Sequence, residues 1–167
     1  LIELAVESGV KSKTISKVLI STDSTDYESI ALSSGAESLG LRSYKLSSDT
    51  AKSIDVVIDI LNKPEMKSAE YVVLLQTTSP IRTPEMIDEC ISLAKKSHES
   101  VVTVARVEDP HPLKLKKIER GALKPYIDGG SSEIPRQELP VAYELTGAVY
   151  VSSVKNIHKN QSFFSDH

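Results

Sequence analysis

Apolar and polar positions alternate between two periods along this chain. Leu1, Ile2, Ala5 and Val6 lie at helical spacing, and Gly9 reads as the stop of that helix. Residues 17–23, KVLISTD, read as a buried strand running into a polar turn. Residues 25–34 suit a helix closed by Gly35, and residues 51–62 repeat Ile54, Val57, Ile58 and Leu61 at helical spacing. Tyr71, Val72, Val73, Leu74 and Leu75 form an unbroken apolar run, short and β-branched, as in a strand covered on both faces. Thr83 as cap and Pro84 in the first turn open the next helix, whose buried face is Met86, Ile87, Cys90, Ile91 and Ala94. Residues 100–107 are a further strand.

Strand–helix alternation over the first two-thirds predicts an α/β fold: a three-layer open, mostly parallel sheet with helices on both faces. After Pro110 the pattern breaks. Pro112, Pro125, Pro135 and Pro140, with Gly129 and Gly130, cut the chain into short pieces. A β-rich arm is expected there, followed by a return strand over residues 147–151. No internal repeat or low-complexity linker appears, so residues 1–167 read as a single domain.

Composition narrows the function classes. The 20 Lys and Arg against 23 Asp and Glu give a formal charge of −3, which argues against a protein that coats nucleic acid. No apolar run approaches the ~20 residues needed to span a bilayer. The single cysteine, Cys90, allows no internal disulfide and reads as a core residue, which fits a reducing, cytoplasmic setting. His98, His111, His158 and His167 make no metal-spaced set and read as surface or turn residues. Asp23 and Asp49 stand where turns and caps need Asp, so no metal ligand is assigned.

In an open α/β sheet, ligands sit beyond the carboxyl ends of the strands. Two such ends are unusually polar: Ser21-Thr22-Asp23, and the run from Gln76 through Thr77, Thr78, Ser79 and Pro80 to Arg82. Gln76 both donates and accepts, which suits a base edge or a ribose hydroxyl. The hydroxyls of Thr77, Thr78 and Ser79 either bind a ligand or shape the turn. Arg82 either attracts phosphate or pairs with a surface carboxylate. Further clusters are Arg42 ahead of Ser48-Asp49-Thr50-Ala51-Lys52-Ser53, with Thr50 as a plausible helix cap; Pro135-Arg136-Gln137-Glu138-Leu139-Pro140; Thr146-Gly147-Ala148-Val149-Tyr150; and Phe163-Phe164.

In this order the clusters resemble the CMP-sialate (acylneuraminate) cytidylyltransferase family. Its pattern is a strand ending in S-T-D, R before D-T-A-x-S, L-L-Q-x-T-S-P-x-R, R-Q-x-L-P, N-G-A-I-Y and a phenylalanine pair. The resemblance implies a nucleotide-diphospho-sugar transferase-like fold with a β-rich dimerisation arm. It implies an enzyme that joins CMP from CTP to the anomeric hydroxyl of an acidic nine-carbon sugar, with Mg²⁺ and release of pyrophosphate. By the same resemblance Arg42, Ser53 and Gln76 face the nucleotide, while Gln137, Gly147, Tyr150, Phe163 and Phe164 surround the sugar, the two aromatics in part from a second subunit of a homodimer. It assigns no catalytic residue. It also implies that two family features lie outside these 167 residues: a glycine- and lysine-rich triphosphate loop ahead of them and a metal-binding D-x-D segment after them. The 167 residues alone are therefore expected to turn over poorly. Thr146 replaces the family's Asn, and Glu144 stands where several members carry Arg, an awkward like charge beside a carboxylated sugar. The alternatives are a nucleotide-sugar binding domain without catalysis, or a same-fold transferase using another nucleoside triphosphate.

Overall fold

The computed structural model describes residues 1–164. They form two compact units: residues 1–103 with 147 onward, and residues 104–146. The sequence reads as one domain; the second unit takes in the whole proline-rich stretch from Pro110 to Pro140.

The first unit starts with helix α1 (Ile2–Val10), which runs one residue past Gly9. Gly9 is not the expected stop. It is a point of close packing, because a Cβ there would meet Val18 Cγ2 at 3.0 Å and Leu75 Cδ1 at 3.4 Å. Strand β1 (Leu19–Ile20) leads to α2 (Thr25–Ser33), whose cap Ser24 accepts from Tyr27 N–H, and then to β2 (Glu37–Ser38). Gly35 leaves α2 with φ +100°, a conformation that glycine adopts freely. β1 and β2 pair in parallel. Helix α3 (Ser53–Leu61) follows, capped by Lys52 without a side-chain hydrogen bond. Thr50, the expected cap, lies ahead of the helix with its hydroxyl 3.3 Å from that of Ser48.

Strand β3 (Tyr71–Leu74) and helix α4 (Pro84–Ser97) match their expected places, and Thr83 Oγ1 accepts from Met86 N–H at 3.2 Å. Helix α4 ends at His98, in the left-handed region with φ 61°. β4 (Val101–Val107) and the long β7 (Ala142–Ser153) complete a sheet ordered β3-β7-β4, and the chain then enters α5 (Val154–Asn160). β3 and β7 are antiparallel, Leu74 opposite Tyr150. Thr103 fixes β4 to β7: its hydroxyl accepts from Val149 N–H at 3.0 Å and donates to Val149 C=O at 3.3 Å.

The strands therefore do not make one parallel sheet. β1-β2 and β3-β7-β4 are separate, because among the described residues no strand hydrogen-bonds to both β1 and β3. Strand alternation splits the faces of β3. Val72 and Leu74 pack with Val57 and Leu61 of α3, Tyr150, Ile157 and Phe163. Tyr71, Val73 and Leu75 pack with Ile87, Ile91 and Ala94 of α4, Val149 and Val151, and Cys90 joins this group half-buried. Burial and the neighbouring Glu89 charge raise the Cys90 thiol pKa, so it stays protonated.

In the second unit β5 (Lys116–Glu119) and β6 (Ala122–Pro125) form an antiparallel hairpin. Ile118 and Leu123 face each other across it, 75% and 73% exposed. His111 caps the short turn Pro112–Lys114, as a turn residue, but it is buried and not on the surface. Its Nδ1 accepts from Leu113 N–H at 3.2 Å, and its Nε2 lies 2.9 Å from Pro140 C=O, tying the two ends of the unit.

Candidate active site

Arg42 is held at the end of β1 by three neighbours. Its backbone N–H donates to Thr22 C=O at 2.7 Å, its Nε donates to Ser47 Oγ at 3.2 Å, and its Nη2 lies 3.7 Å from Asp23 Oδ1. The Ser21-Thr22-Asp23 turn is thus the bracket of the arginine. Thr22 is buried and accepts from Ser24 N–H at 3.2 Å, which stiffens the bracket. The guanidinium keeps donors for a ligand, since it has five N–H groups and its contacts here use two.

Ser53 begins α3 and is exposed, where the first helical N–H groups have no intrahelical partner. Gln76 follows the end of β3. Arg42, Ser53, Gln76, Thr77 and Thr78 all line one cavity of about 790 Å³, whose other walls are mainly apolar. A smaller cavity of about 250 Å³ is also lined by Arg42, with Ser21, Gly40, Asp59 and Lys63. Asp59, late in α3, and Lys63, just past its end, carry no signal in the sequence, because charged residues there normally mark only a solvated face.

Arg82 fits neither of its two expected roles. It is 8% exposed, and its Nη2 donates to the backbone C=O of both Gln76 and Ser79, the latter at 2.6 Å. Nε and Nη1 have no hydrogen-bond partner among the described residues. Burial lowers its pKa, yet a guanidinium remains charged. Its place is inside the 76–82 loop, which it pins from within. Gly147, on β7, closes the other side of that loop. Its φ is +73°, and a side chain added there would run into Gln76 Oε1 and, at 2.6 Å, Ser79 Oγ. Gln76, Ser79 and Gly147 thus meet at one point.

Three residues on, Tyr150 is 8% exposed. Its ring lies 5.8 Å from Phe163 and 6.2 Å, edge-on, from Phe164. Phe163, 5% exposed, is core of its own chain, whereas Phe164 is 45% exposed. Gln137 is exposed within the second unit, in the short turn Arg136–Glu138. Arg42, Ser53, Gln76, Gly147 and Tyr150 thus fall within one unit, and Gln137 falls in the other. Glu144 is exposed. Among the described residues no group of three or more His, Cys, Asp or Glu side chains could hold a metal ion, so these residues alone do not form a magnesium cage.

A polar rim beside an apolar cavity, with a fixed arginine, a helix-start hydroxyl and an amide, can hold a nucleoside: donors meet the base edge, and the amide meets a hydroxyl. Residues 1–122 match the cytidylyltransferase family. The chain is 32% identical over 169 residues to a CMP-N,N'-diacetyllegionaminic acid synthase of Legionella pneumophila, covering 99% of this chain and 72% of that protein. It is 32% identical over 166 residues to an N-acylneuraminate cytidylyltransferase of Streptococcus agalactiae serotype V, covering 98% of this chain but 38% of that protein. The solved structure of CMP:2-keto-3-deoxy-manno-octonic acid synthetase complexed with CTP superposes with a TM-score of 0.66 at 15% identity, over 99% of this chain and 68% of that one. That likeness concerns the fold, an α/β nucleotide-diphospho-sugar transferase type. No described helix is long and apolar enough to cross a membrane. The chain belongs to the cytidylyltransferase family.

Proposed function

We propose that this chain carries the CTP-reading part of an enzyme that transfers CMP to an acidic nonulosonate sugar, sialic acid or a relative, and releases pyrophosphate. One observation carries the reading: Arg42, Ser53 and Gln76, from three separate elements, line the same cavity. Arg42 and Ser53 read the base edge. An arginine donor is satisfied by the carbonyl and ring nitrogen of cytosine, whereas the N–H of uracil at that position would meet another donor. Gln76, pressed against Gly147, lies between base and acceptor. The acceptor's anomeric oxygen attacks the α-phosphorus, the bond to the β-phosphate oxygen breaks, and pyrophosphate leaves. Positioning and charge stabilisation carry such a step. Mg²⁺, if bound on the substrate phosphates, would shield their charge during the transfer. No step here is assigned to it.

The acceptor class rests on relatives named for legionaminic, N-acylneuraminic and pseudaminic acids. A homodimer is part of the proposal. The Ile118–Leu123 pair is an exposed apolar patch on a hairpin, the kind of surface a partner covers. Phe164, exposed beside Tyr150, is available for sharing; Phe163 is not. A cytoplasmic setting suits a reaction that consumes CTP.

The test is pyrophosphate release by the complete polypeptide, with CTP, UTP and GTP each offered with a panel of nonulosonic acids. CTP-dependent release with at least one such acid is expected. Release with UTP or GTP at comparable kcat/KM, or none with any acid, would overturn the reading.

A further inference from the structure

Lys63 reaches back to the loop that carries Arg42. Its Nζ donates to the carbonyl of Leu39 at 3.1 Å. The lysine's own backbone is a firm anchor. Its N–H donates to Ile60 C=O at 3.0 Å, and its C=O accepts from Met66 N–H at 3.0 Å. Pro64, opening the short turn Pro64–Met66, restricts the residue before it to extended backbone, and Lys63 has φ −74° and ψ 147°.

The loop at the other end of this bond is weakly packed. Leu39, Gly40, Leu41, Arg42 and Ser43 are consecutive, and all five line the 250 Å³ cavity. The loop thus borders a void along its length, and a segment with few packed contacts opens easily. Gly40 adds backbone freedom, with φ +96° and space around it for a side chain. Hydrogen bonds therefore decide where the loop sits. Gly40 N–H donates to Ser38 Oγ at 3.0 Å and Arg42 N–H to Thr22 C=O at 2.7 Å, which hold it to the β1–β2 side. Lys63 ties the same loop to α3. Ser53 begins α3 and Lys63 lies just past its end. One helix thus carries a nucleotide-facing hydroxyl at its start and the tie to the Arg42 loop at its finish.

We propose that Lys63 is a positioning residue that sets nucleotide specificity: through Leu39 it fixes the Arg42 loop relative to α3, so that Arg42 and Ser53 meet the cytosine edge together. This rests on the reading of Arg42 and Ser53 as the base site. Without the tie, the loop samples positions in which the guanidinium is off the base. Apparent affinity then falls in proportion to the time Arg42 spends in place. Only a nucleotide that draws on Arg42 feels this loss.

CTP and UTP share ribose and triphosphate, so the difference in their affinities reports the base. The test is isothermal titration calorimetry of each with the complete polypeptide in magnesium chloride, which needs no acceptor sugar. Lys63→Met keeps the stem and removes the donor. It should weaken CTP binding about 5-fold, as for a loop in place roughly one-fifth of the time, and UTP binding less than ~2-fold. Lys63→Arg keeps a charged donor and should restore most of the CTP preference. In an Arg42→Ala background, adding Lys63→Met should change CTP affinity no further. A lysine that only supports the fold would weaken both nucleotides alike. That result overturns the proposal, as does unchanged CTP affinity in Lys63→Met, or a Lys63→Met effect that persists undiminished without Arg42. If Arg42→Ala itself preserves the CTP preference, the base reading fails and the proposal falls with it. If Arg42→Ala abolishes the preference and Lys63→Met leaves it intact, the role of Lys63 alone is refuted.

Discussion

Replacing Gly147 with Ala separates two costs that the structure superimposes at one residue. The first is backbone: φ is +73°, where an L side chain costs about 1–2 kcal/mol. The second is crowding: the new methyl meets Gln76 Oε1 and Ser79 Oγ, and overpacking of this kind costs typically about 1–3 kcal/mol. Gln76 ends in a flexible amide that can swing away, so the sum should fall near the lower half, about 2–3 kcal/mol. Gly40 is the control, since its φ is +96° and a Cβ added there would have no neighbour within 4 Å. Gly40→Ala should therefore cost about 1–2 kcal/mol from the backbone alone. The loss of unfolded-chain entropy on Gly→Ala is common to both and cancels. The chain has no Trp, so urea unfolding followed by far-UV circular dichroism is the assay. The double variant Gly147→Ala/Gln76→Ala removes the obstacle and should recover about 1 kcal/mol by a double-mutant cycle. The displaced Gln76 amide should also lower kcat/KM for CTP in the complete polypeptide. Equal destabilisation by Gly147→Ala and Gly40→Ala, with no coupling to Gln76, would refute the close approach of loop and strand.

Arg42→Ala should weaken CTP use by about 1.5–3 kcal/mol, roughly 10- to 100-fold in kcat/KM, through loss of a charged hydrogen bond, while thermal stability changes little; unchanged CTP kinetics would remove Arg42 from the base site. Asp88 gathers hydrogen bonds from the Ser12 and Thr14 hydroxyls and the Lys13 and Thr14 N–H groups, which pull its pKa from 3.8 to about 2. Its stabilising contribution is therefore full above pH ~4 and lost as pH falls towards ~2, so Tm of Asp88→Asn should approach that of the parent as acid is added, and parallel Tm–pH curves would refute the assignment. Ile118→Lys with Leu123→Lys should turn the proposed dimer into a monomer in sedimentation; a monomeric parent, or a doubly substituted dimer, would remove the hairpin from the interface.

Long amphipathic elements were legible in the sequence because their burial is periodic. Ile87, Ile91 and Ala94 fall on one face of α4, and Thr83 caps it as its hydroxyl requires. The apolar run of β3 is likewise placed to within a residue. Legibility fails where long-range contacts decide. Gly9 looks like a helix stop by local rule, but its missing side chain serves the approach of Val18 and Leu75. His111 reads as a surface or turn residue; the turn is there, but its burial comes from the backbone at Leu113 and Pro140. β2 has only two residues and no pattern of its own; its strand character comes from pairing with β1. The family resemblance picked out Arg42, Ser53 and Gln76, and the sequence marked Thr22, Asp23, Arg82 and Gly147 as polar or turn positions; the contacts by which Thr22 and Asp23 hold Arg42, and Arg82 and Gly147 flank Gln76, are tertiary and carry no local signature.

Arg82 shows why the polar loop after β3 holds its form. Where β3 ends, the Gln76 carbonyl accepts from Ser79 N–H at 3.2 Å, and Arg82 adds a charged donor to it and to the Ser79 carbonyl. A hydrogen bond to a charged donor contributes about 1.5–3 kcal/mol, and one Nη2 reaches both carbonyls. Burial leaves Nε and Nη1 unpaired among the described residues, a cost of the same order. Arg82 therefore contributes little net stability, and its effect is to select one loop conformation over others. That conformation sets the Gln76 amide against Gly147, where the strand behind it admits no side chain. A lysine at position 82 would keep the charge but not the planar fork that fixes two carbonyls from one side. The loop would then keep its polar residues yet lose the geometry that brings Gln76 to the wall shared with Arg42 and Ser53.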